Sequence, residues 1–360
     1  MDLVDVGKTL REGDRASKTG QAFTIKHLDL TVPDGQTMVV LGPSGCGKST
    51  LLRIIAGLIK VDSGEVRYDG VNVNDLEPGA RQVGMVFQNY ALYPNRTSRE
   101  NIRSFFWFRK RTPELAELER AKLQRTSDLM GVELEYLLDR MPKTLSGGEQ
   151  QRVAIARCIT REAAVFLVDE PFSNLDQGLR DRYRINLKHL LQEYGITTVY
   201  VTHDHNEAVL MGDLIAVMDR GRIDQVGTVR EVYDRPRTAF VASFLNVHPS
   251  GRPMSFLEPG DVGREDLGDV RLGVRPEDVE IVDPRHPDSL GATVLNVLTI
   301  PPRDHTLVTA SVGSTEVQAR LEEPADLRKG DLVGLLLRRL FVFDRETGLT
   351  LRTLAGHEEP

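Results

Sequence analysis

The sequence predicts an α/β domain built on a parallel sheet, followed by a small all-β domain. Apolar runs at 38–41, 163–171 and 197–204 alternate with segments of helical periodicity. Strands buried on both faces have this composition, because helices cover both sides of a parallel sheet. From about residue 244 the chain becomes rich in proline and glycine, and short alternating runs predict the second domain.

The predicted domains span residues 1–242 and 243–360. Within the first, residues 98–160 show helical periodicity and little strand signal, and we place a helical subdomain at about 89–160. Residues 214–227 predict a β-hairpin. In the second domain, runs such as RLGVRPEDVEIV and LFVFD predict a barrel-like, OB-like fold.

Composition disfavours a nucleic-acid partner and suits a reducing compartment. The 360 residues carry a net charge of −7 without a concentrated Lys/Arg block, and they include only two cysteines. No apolar run approaches the roughly eighteen residues of a membrane span, and the first residues lack the apolar core of a signal peptide. We therefore expect a cytosolic chain whose membrane role comes through partners.

Residues 37–57 organise the first domain. They predict a buried strand, a glycine-rich turn of the pattern G-x-x-x-x-G-K-[ST], and a helix that begins at Ser49. Backbone N–H groups of such a turn, and the helix N-terminus behind it, converge on phosphate oxygens. The pattern predicts that Lys48 reaches the β- and γ-phosphates and that Ser49 is a ligand of Mg²⁺. The predicted ATP-binding residues of this loop are Gly42, Pro43, Ser44, Gly45, Cys46, Gly47, Lys48, Ser49 and Thr50.

Two carboxylates follow a second buried strand. The stretch VFLVDEP places Asp169 at the strand end, where a nucleotide site needs an acidic group for Mg²⁺. Glu170 follows at once, in position to act as the general base on the attacking water. A lone Asp-Glu is often only a strand end that meets solvent, so this prediction depends on the phosphate loop.

A second anion-binding turn is indicated at 145–151. The sequence LSGGEQQ places a serine and two glycines directly before a helix, QQRVAIARCI. The free N–H groups of a helix start favour an anion. By itself, Ser-Gly-Gly is a common helix start with no ligand.

Five motifs in order resemble those of the ATPase subunit of an ATP-binding cassette (ABC) transporter. They are GPSGCGKST, the loop of Gln88, LSGGEQQ, VFLVDEP with FSNLD, and His203, and the resemblance covers about residues 1–242. It implies an ABC-type P-loop NTPase that uses ATP and Mg²⁺ and forms a head-to-tail dimer. In that dimer each ATP lies between the phosphate loop of one subunit and Ser146, Gly147, Gly148 and Glu149 of the other.

The same resemblance implies roles for further residues. Gln88 would approach Mg²⁺ and the attacking water, Asp176 would lie at the dimer interface, and His203 would contact the γ-phosphate. The family usually stacks an aromatic side chain on adenine, but the corresponding residues 16–20 include none. Phe23 is the nearest candidate, and a core strand residue is the alternative for it.

The partners implied by the resemblance are those of an importer. The stretches LGVRPEDVEIV and FVFDRETG resemble the accessory β-domain of binding-protein-dependent importers, and VASFLNVHPSGRPMSF resembles a junction in carbohydrate importers. Residues 89–102 resemble the segment that receives a coupling helix, with an exposed apolar groove formed by Tyr90, Leu92, Tyr93 and Pro94.

These likenesses imply a peripheral subunit at the cytoplasmic face of the plasma membrane. Its partners would be a second copy or a paralogous ATPase, two transmembrane permease subunits and, indirectly, an extracytoplasmic solute-binding protein. No nucleic-acid partner is expected.

The leading hypothesis is the ATP-hydrolysing subunit of a carbohydrate importer. An importer ATPase of the same layout for a polyamine, iron or an oxyanion stays open. A soluble ABC ATPase of DNA repair or translation would typically show two cassettes or a long coiled-coil insert, and neither occurs in the sequence. Glu170 and His203 argue against a subunit that holds ATP without hydrolysing it.

Overall fold

The structure is a computed structural model, and the chain forms two compact units, Met1–Val229 and Arg230–Pro360. The residues that it describes are 1–11, 22–87, 89–107, 109–172, 177–193, 195–246, 253–300, 305–323 and 325–355. A boundary between sequence domains at 242/243 stays a prediction.

The first unit alternates strands and helices along the chain. In chain order its elements are β1 (Asp2–Leu10), β2 (Phe23–Thr31), β3 (Thr37–Leu41), α1 (Lys48–Ile55), β4 (Ser63–Tyr68), β5 (Val71–Asn72), β6 (Val83–Val86), α2 (Ser98–Ile102), α3 (Pro113–Met130), α4 (Val132–Glu135), α5 (Gly147–Thr160), β7 (Val165–Asp169), α6 (Gln177–Glu193), β8 (Thr198–Thr202), α7 (His205–Met211), β9 (Leu214–Asp219) and β10 (Arg222–Gly227).

The centre of the first unit is a six-stranded sheet in the order β10-β9-β3-β8-β7-β6. Its strands are parallel except β10, which pairs antiparallel with β9 across the turn at Arg220 and Gly221. Every residue of β3, β7 and β8 is buried, as expected for strands covered on both faces. The predicted parallel sheet and the predicted hairpin are therefore confirmed.

A second, antiparallel sheet in the order β2-β1-β4-β5 belongs to the same unit. Its buried face, with Leu3, Val6, Ile25 and Val66, joins one core cluster with side chains of β3 and α1. This shared core fixes the position of the loop between β3 and α1.

The stretch predicted to be helical contains α2, α3, α4 and α5. Their apolar side chains form a separate small core. The residues of this cluster are Ile102, Leu134, Leu137, Leu138, Leu145, Val153 and Ala156. The helical prediction for 98–160 is confirmed.

The second unit begins with two short helices and continues as strands. Its elements are α8 (Val229–Asp234), α9 (Ala239–Phe244), β11 (Ser255–Leu257), β12 (Val270–Val274), β13 (Val279–Val282), β14 (Leu290–Ile300), β15 (His305–Val312), β16 (Thr315–Leu321), β17 (Leu332–Leu337), β18 (Arg339–Asp344) and β19 (Thr350–Ala355). The predicted all-β region after the first domain is confirmed.

The strands of the second unit form two antiparallel sheets, β11-β12-β18-β19 and β13-β17-β14-β15-β16. The outer strands of the larger sheet, β13 and β16, lie beside one another without ladder pairing, so this sheet curls toward a barrel. Ala242 of α9 packs with Met254, Phe341 and Phe343 of the smaller sheet. The helix α9 is therefore anchored in the core of this unit.

Candidate active site

The loop between β3 and α1 is shaped by close packing of its glycines. Gly47 is the N-cap of α1 with φ +110°, and no side chain caps this helix, so its first N–H groups stay open to a ligand. A Cβ at Gly42 would collide with the carbonyl oxygen of Met218, and one at Gly47 would collide with the Phe23 ring. The helix begins at Lys48, one residue before the predicted Ser49, because the cap is the glycine itself.

Lys48 lies at the centre of this loop and is 6% exposed. Its Nζ donates hydrogen bonds to the carbonyl oxygens of Gly42, at 2.7 Å, and Pro43, at 2.9 Å. The loop backbone thereby holds a positive charge in the concave space that its N–H groups surround. Such an arrangement is suited to a polyphosphate.

The remaining loop residues differ in their exposure to solvent. Ser44 and Gly45 are exposed, Thr50 is half-buried on α1, and Cys46 is buried. Burial raises the pKa of the Cys46 thiol, so it acts as a small neutral side chain. The backbone N–H of Gly221, at the hairpin turn, donates to the carbonyl oxygen of Cys46 at 3.0 Å and supports the loop from below.

Ser49 and Asp169 meet at the carboxyl edge of the parallel sheet. The Ser49 hydroxyl donates to Asp169 Oδ1 at 3.0 Å, although the two residues come from different strand–helix units. Hydroxyl and carboxylate oxygens are ligands that Mg²⁺ accepts, usually together with water and substrate phosphates. This pair fits that ion. In the parts of the chain that the structure describes, no cluster of three or more His, Cys, Asp or Glu side chains is suited to a metal.

Glu170 and His203 lie together at the same sheet edge. Glu170 has a positive φ of 46°, which is uncommon for a non-glycine residue and is found at functional sites. Its backbone N–H donates to the carbonyl oxygen of Val201 at 3.0 Å. Its Oε1 lies 3.2 Å from Nδ1 of His203, which follows the neighbouring strand β8 and is more than half exposed. The predicted base and the predicted phosphate contact are therefore neighbours.

The turn at Ser146 opens α5 with a capping box. Ser146 is the N-cap: its hydroxyl accepts from the Glu149 N–H, and Glu149 Oε2 accepts from the Ser146 N–H at 2.7 Å. Arg140 donates to the other oxygen of Glu149 at 2.9 Å. Burial alone would raise the pKa of Glu149, but these contacts with Ser146 and Arg140 lower it, so the carboxylate stays charged. The contacts of Glu149 thus orient the turn of Gly147 and Gly148.

Several predicted site residues need separate mention. Gln88 and Asp176 lie outside the described residues. The Phe23 ring packs on Gly47 and on the core of the first unit, so it lies beside the phosphate loop. The prediction that Tyr90 lines an exposed groove is wrong: the residue is 4% exposed, and its hydroxyl donates to the carbonyl oxygen of Pro171. Tyr93 is 45% exposed, and its ring packs on Trp107 with centroids 4.9 Å apart.

Sequence reasoning missed a buried polar network next to His203. It joins Arg184 of α6 to Glu207 of α7 and to Tyr200 and Thr202 of β8. Burial alone would lower the pKa of Arg184, but its bonds and charge interactions with Glu207 and Asp204 raise it. The one available signal was Asp204 three residues before Glu207, a spacing typical of a helix start.

A phosphate loop, an adjacent Ser–Asp oxygen pair and a carboxylate beside a histidine define a P-loop ATPase. The comparisons specify the class further. Residues 25–173 match the family model described as ABC transporter. The sn-glycerol-3-phosphate import ATP-binding protein UgpC of Psychromonas ingrahamii is 39% identical over 347 residues, which cover 90% of each chain. The UgpC of Rhizobium meliloti is 46% identical over 288 residues, which cover 78% of each chain.

Solved structures agree with this match. The dimeric structure of MJ0796, a bacterial ABC transporter cassette, has a TM-score of 0.53 at 33% identity, covering 63% of this chain and 98% of that one. The structure of cbiO1 from Clostridium perfringens, part of the transporter complex cbiONQ, has a TM-score of 0.55 at 26% identity, covering 65% of this chain and 90% of that one. The chain belongs to the ABC transporter ATPase family, and the resemblance predicted from its motifs is confirmed.

Membership establishes an ATP-binding, ATP-hydrolysing chain of an importer. Within the described ranges, no helix is both long enough and apolar enough to cross a bilayer.

Proposed function

We propose that this chain energises the import of sn-glycerol-3-phosphate or a related phosphorylated carbohydrate. The substrate class is supported by the names of the two relatives, both sn-glycerol-3-phosphate import ATP-binding proteins, which are 39% and 46% identical over most of this chain. The observation that carries the ATPase mechanism is the convergence of Ser49 with Asp169, and of Glu170 with His203, at one sheet edge.

In the proposed mechanism the chain's own groups grip and orient the nucleotide. Open N–H groups of the loop and the Lys48 ammonium bind the phosphates, while Ser49 and Asp169 would hold Mg²⁺, with Gln88 a further proposed ligand. Bound there, Mg²⁺ would neutralise charge on the β- and γ-phosphates. Glu170 would accept the proton of the attacking water, and His203 would donate to the γ-phosphate. Phe23 is proposed to contact the base.

A second subunit would complete this site. Ser146 is exposed, Gly147 is half-buried and Gly148 is buried at this helix start, and no lysine inside its first turn corresponds to Lys48. We propose that Ser146, Gly147 and Gly148 contact the ATP held by the partner and that Glu149 acts by orienting the turn. Asp176 would lie across the dimer interface. The second subunit would be either another copy of this chain or a paralogous ATPase.

The transport complex would include two transmembrane permease subunits and an extracytoplasmic solute-binding protein. The chain would lie at the cytoplasmic face of the plasma membrane. The exposed Tyr93 ring, supported by Trp107 and with Arg96 above that indole, is the proposed permease contact. The all-β region of the second unit would add contacts between ATPase subunits.

The experiment is uptake of labelled sn-glycerol-3-phosphate by a deletion strain that expresses the chain, with ATPase assays on the purified protein. Glu170→Gln should lower kcat for ATP about 10²–10⁴-fold, because a general base contributes that much. Uptake should fall with it, while ATP affinity is retained. The control Glu117→Gln, at an exposed position of α3, should keep both activities. Full ATPase activity in Glu170→Gln would refute the mechanism, and uptake of another solute alone would refute the substrate.

A further inference from the structure

Glu207 holds a buried charge at the start of α7. Only 4% of this residue is exposed, and its carboxylate accepts three hydrogen bonds from buried donors. The hydroxyls of Thr202, at 2.7 Å, and Tyr200, at 3.0 Å, donate to Oε2. The Arg184 guanidinium donates to Oε1 at 3.0 Å. A buried carboxylate is tolerated only with such complete pairing, and this fixes the positions of its donors.

The network surrounds the backbone of His203 on both sides. Thr202 precedes His203, and its hydroxyl oxygen also accepts from the backbone N–H of Asp204 at 3.0 Å. Asp204 follows His203, and its carboxylate accepts from Arg184 at 2.6 Å and from the N–H groups that open α7. The two residues that flank His203 are therefore bound to one cluster.

The His203 side chain is largely exposed. It is 56% exposed, and its Nδ1 lies 3.2 Å from Oε1 of Glu170. The direction of such a side chain depends on the backbone that carries it, and that backbone is held by Thr202 and Asp204. Loss of the cluster should therefore move the imidazole without removing any group that touches nucleotide.

We propose that Glu207 is a positioning residue for ATP hydrolysis, which holds His203 against Glu170 through Thr202, Asp204 and Arg184. The proposal rests on the role of His203 in the proposed function. Glu207 also links two helices, because it lies on α7 and its partner Arg184 lies on α6. The helix α6 follows residues 173–176 in the chain. Glu207 makes no contact with the reacting atoms in this scheme.

The first measurement compares two carboxylates that each form an ion pair with α6, by steady-state ATPase kinetics of the full-length chain. Glu207→Gln should lower kcat about 10- to 100-fold, with the KM for ATP changed less than about threefold, since a shift of about 1 Å in a catalytic group can cost 10²-fold. The control is Asp213→Asn, which also breaks an ion pair of α6, with Lys188 at 2.8 Å, but away from His203. It should change kcat less than about threefold.

The second measurement is a double-mutant cycle with His203→Ala, read by single-turnover hydrolysis. If Glu207 acts through His203, Glu207→Gln should change the rate less than about threefold when His203 is already absent. Equal losses in both backgrounds would overturn this inference alone, because Glu207 would then only stabilise the fold. A His203→Ala variant as fast as the unmodified chain would overturn both the role of His203 and the inference.

A milder variant keeps the proposal testable if Glu207→Gln does not fold, as judged by circular dichroism and Tm. Tyr200→Phe removes one donor to Glu207 and keeps the ring in place. It should lower kcat about three- to tenfold, and this loss should vanish in the His203→Ala background. A kcat equal to that of the unmodified chain in a folded Tyr200→Phe would contradict the proposal.

Discussion

The starts of α1 and α5 both contain glycine, but they differ in which backbone groups their caps leave open. The start of α1 has a glycine N-cap without a side-chain hydrogen bond, and the buried Lys48 ammonium lies at its centre. The start of α5 is closed by the Ser146–Glu149 capping box, and the cation beside it, Arg140, is paired with Glu149. The first is suited to a polyphosphate by itself, whereas the second exposes Ser146 beside the half-buried Gly147.

This difference explains why the chain is expected to function as a dimer. A helix start that retains open N–H groups at the surface gains from an anion, but without a lysine it contributes only part of a binding site. A second subunit that presents its own loaded phosphate loop would supply the anion. The dimeric MJ0796 cassette, at 33% identity, shows that a relative of this fold assembles as a dimer.

The largest effect on ATP affinity should come from a substitution at the start of α1. Lys48→Ala removes a buried charge–phosphate contact worth about 2–3 kcal/mol, so ATP affinity should fall about 30- to 150-fold. Isothermal calorimetry with ATP checks this. Lys60→Ala, an exposed lysine beyond α1, is the matched control and should bind ATP normally. Unchanged affinity in Lys48→Ala would remove the distinction between the two helix starts.

A smaller effect on ATP hydrolysis is expected from a substitution at the start of α5. Ser146→Ala should lower kcat about tenfold and cost about 1 kcal/mol of stability through the lost cap. Thr97 forms the same kind of capping box with Glu100 at the start of α2, so Thr97→Ala is the matched control for the cap alone. We expect thermal melts to show similar losses for both variants, and ATPase assays to show a loss for Ser146→Ala only. Equal kcat values in the two would mean that Ser146 merely caps its helix.

The smallest effect on ATPase activity should come from the exposed aromatic of the helical part. Tyr93→Asp should change the ATPase rate of the isolated chain less than about twofold, yet abolish uptake in cells, because it places a charge on the proposed permease contact. Leu118 on α3 has a similar exposed fraction, 42% against 45%, so Leu118→Asp is the control that should keep uptake. Normal uptake by Tyr93→Asp would exclude this contact.

The local structural features could be predicted from the sequence, because each is determined by residues that are adjacent in the chain. The buried strands, the phosphate loop and the capped start at Ser146 each follow from a few consecutive residues. The carboxylates Asp169 and Glu170 could be placed because parallel strands end at one sheet edge.

The parts that could not be predicted depend on contacts between distant residues. Arg184 and Glu207 are 23 residues apart and meet only after α6 and α7 pack, so neither sequence segment shows the pair. Tyr90 is polar at one end, and only the nearby carbonyl of Pro171, 81 residues away, explains its burial. The contact of the Phe23 ring with Gly47 also joins distant residues, and a contact of this ring with adenine stays a prediction.

The proposed site shared between two subunits also defines a control for a mixing experiment. Lys48→Ala and Glu170→Gln both damage the half-site that carries the phosphate loop, so a dimer of one with the other contains no intact site. Lys48→Ala and Ser146→Arg damage opposite halves. A dimer of these two contains one intact site and one doubly damaged site.

The most direct test is therefore the ATPase rate of co-expressed, differently tagged Lys48→Ala and Ser146→Arg chains purified through both tags. If one subunit's phosphate loop is completed by the other's Ser146 turn, this mixed dimer should hydrolyse ATP at least about tenfold faster than either parent, since one site regains its full set of contacts. The Lys48→Ala with Glu170→Gln dimer should not recover. A Lys48→Ala with Ser146→Arg dimer that stays at the average of its parents would contradict the shared site.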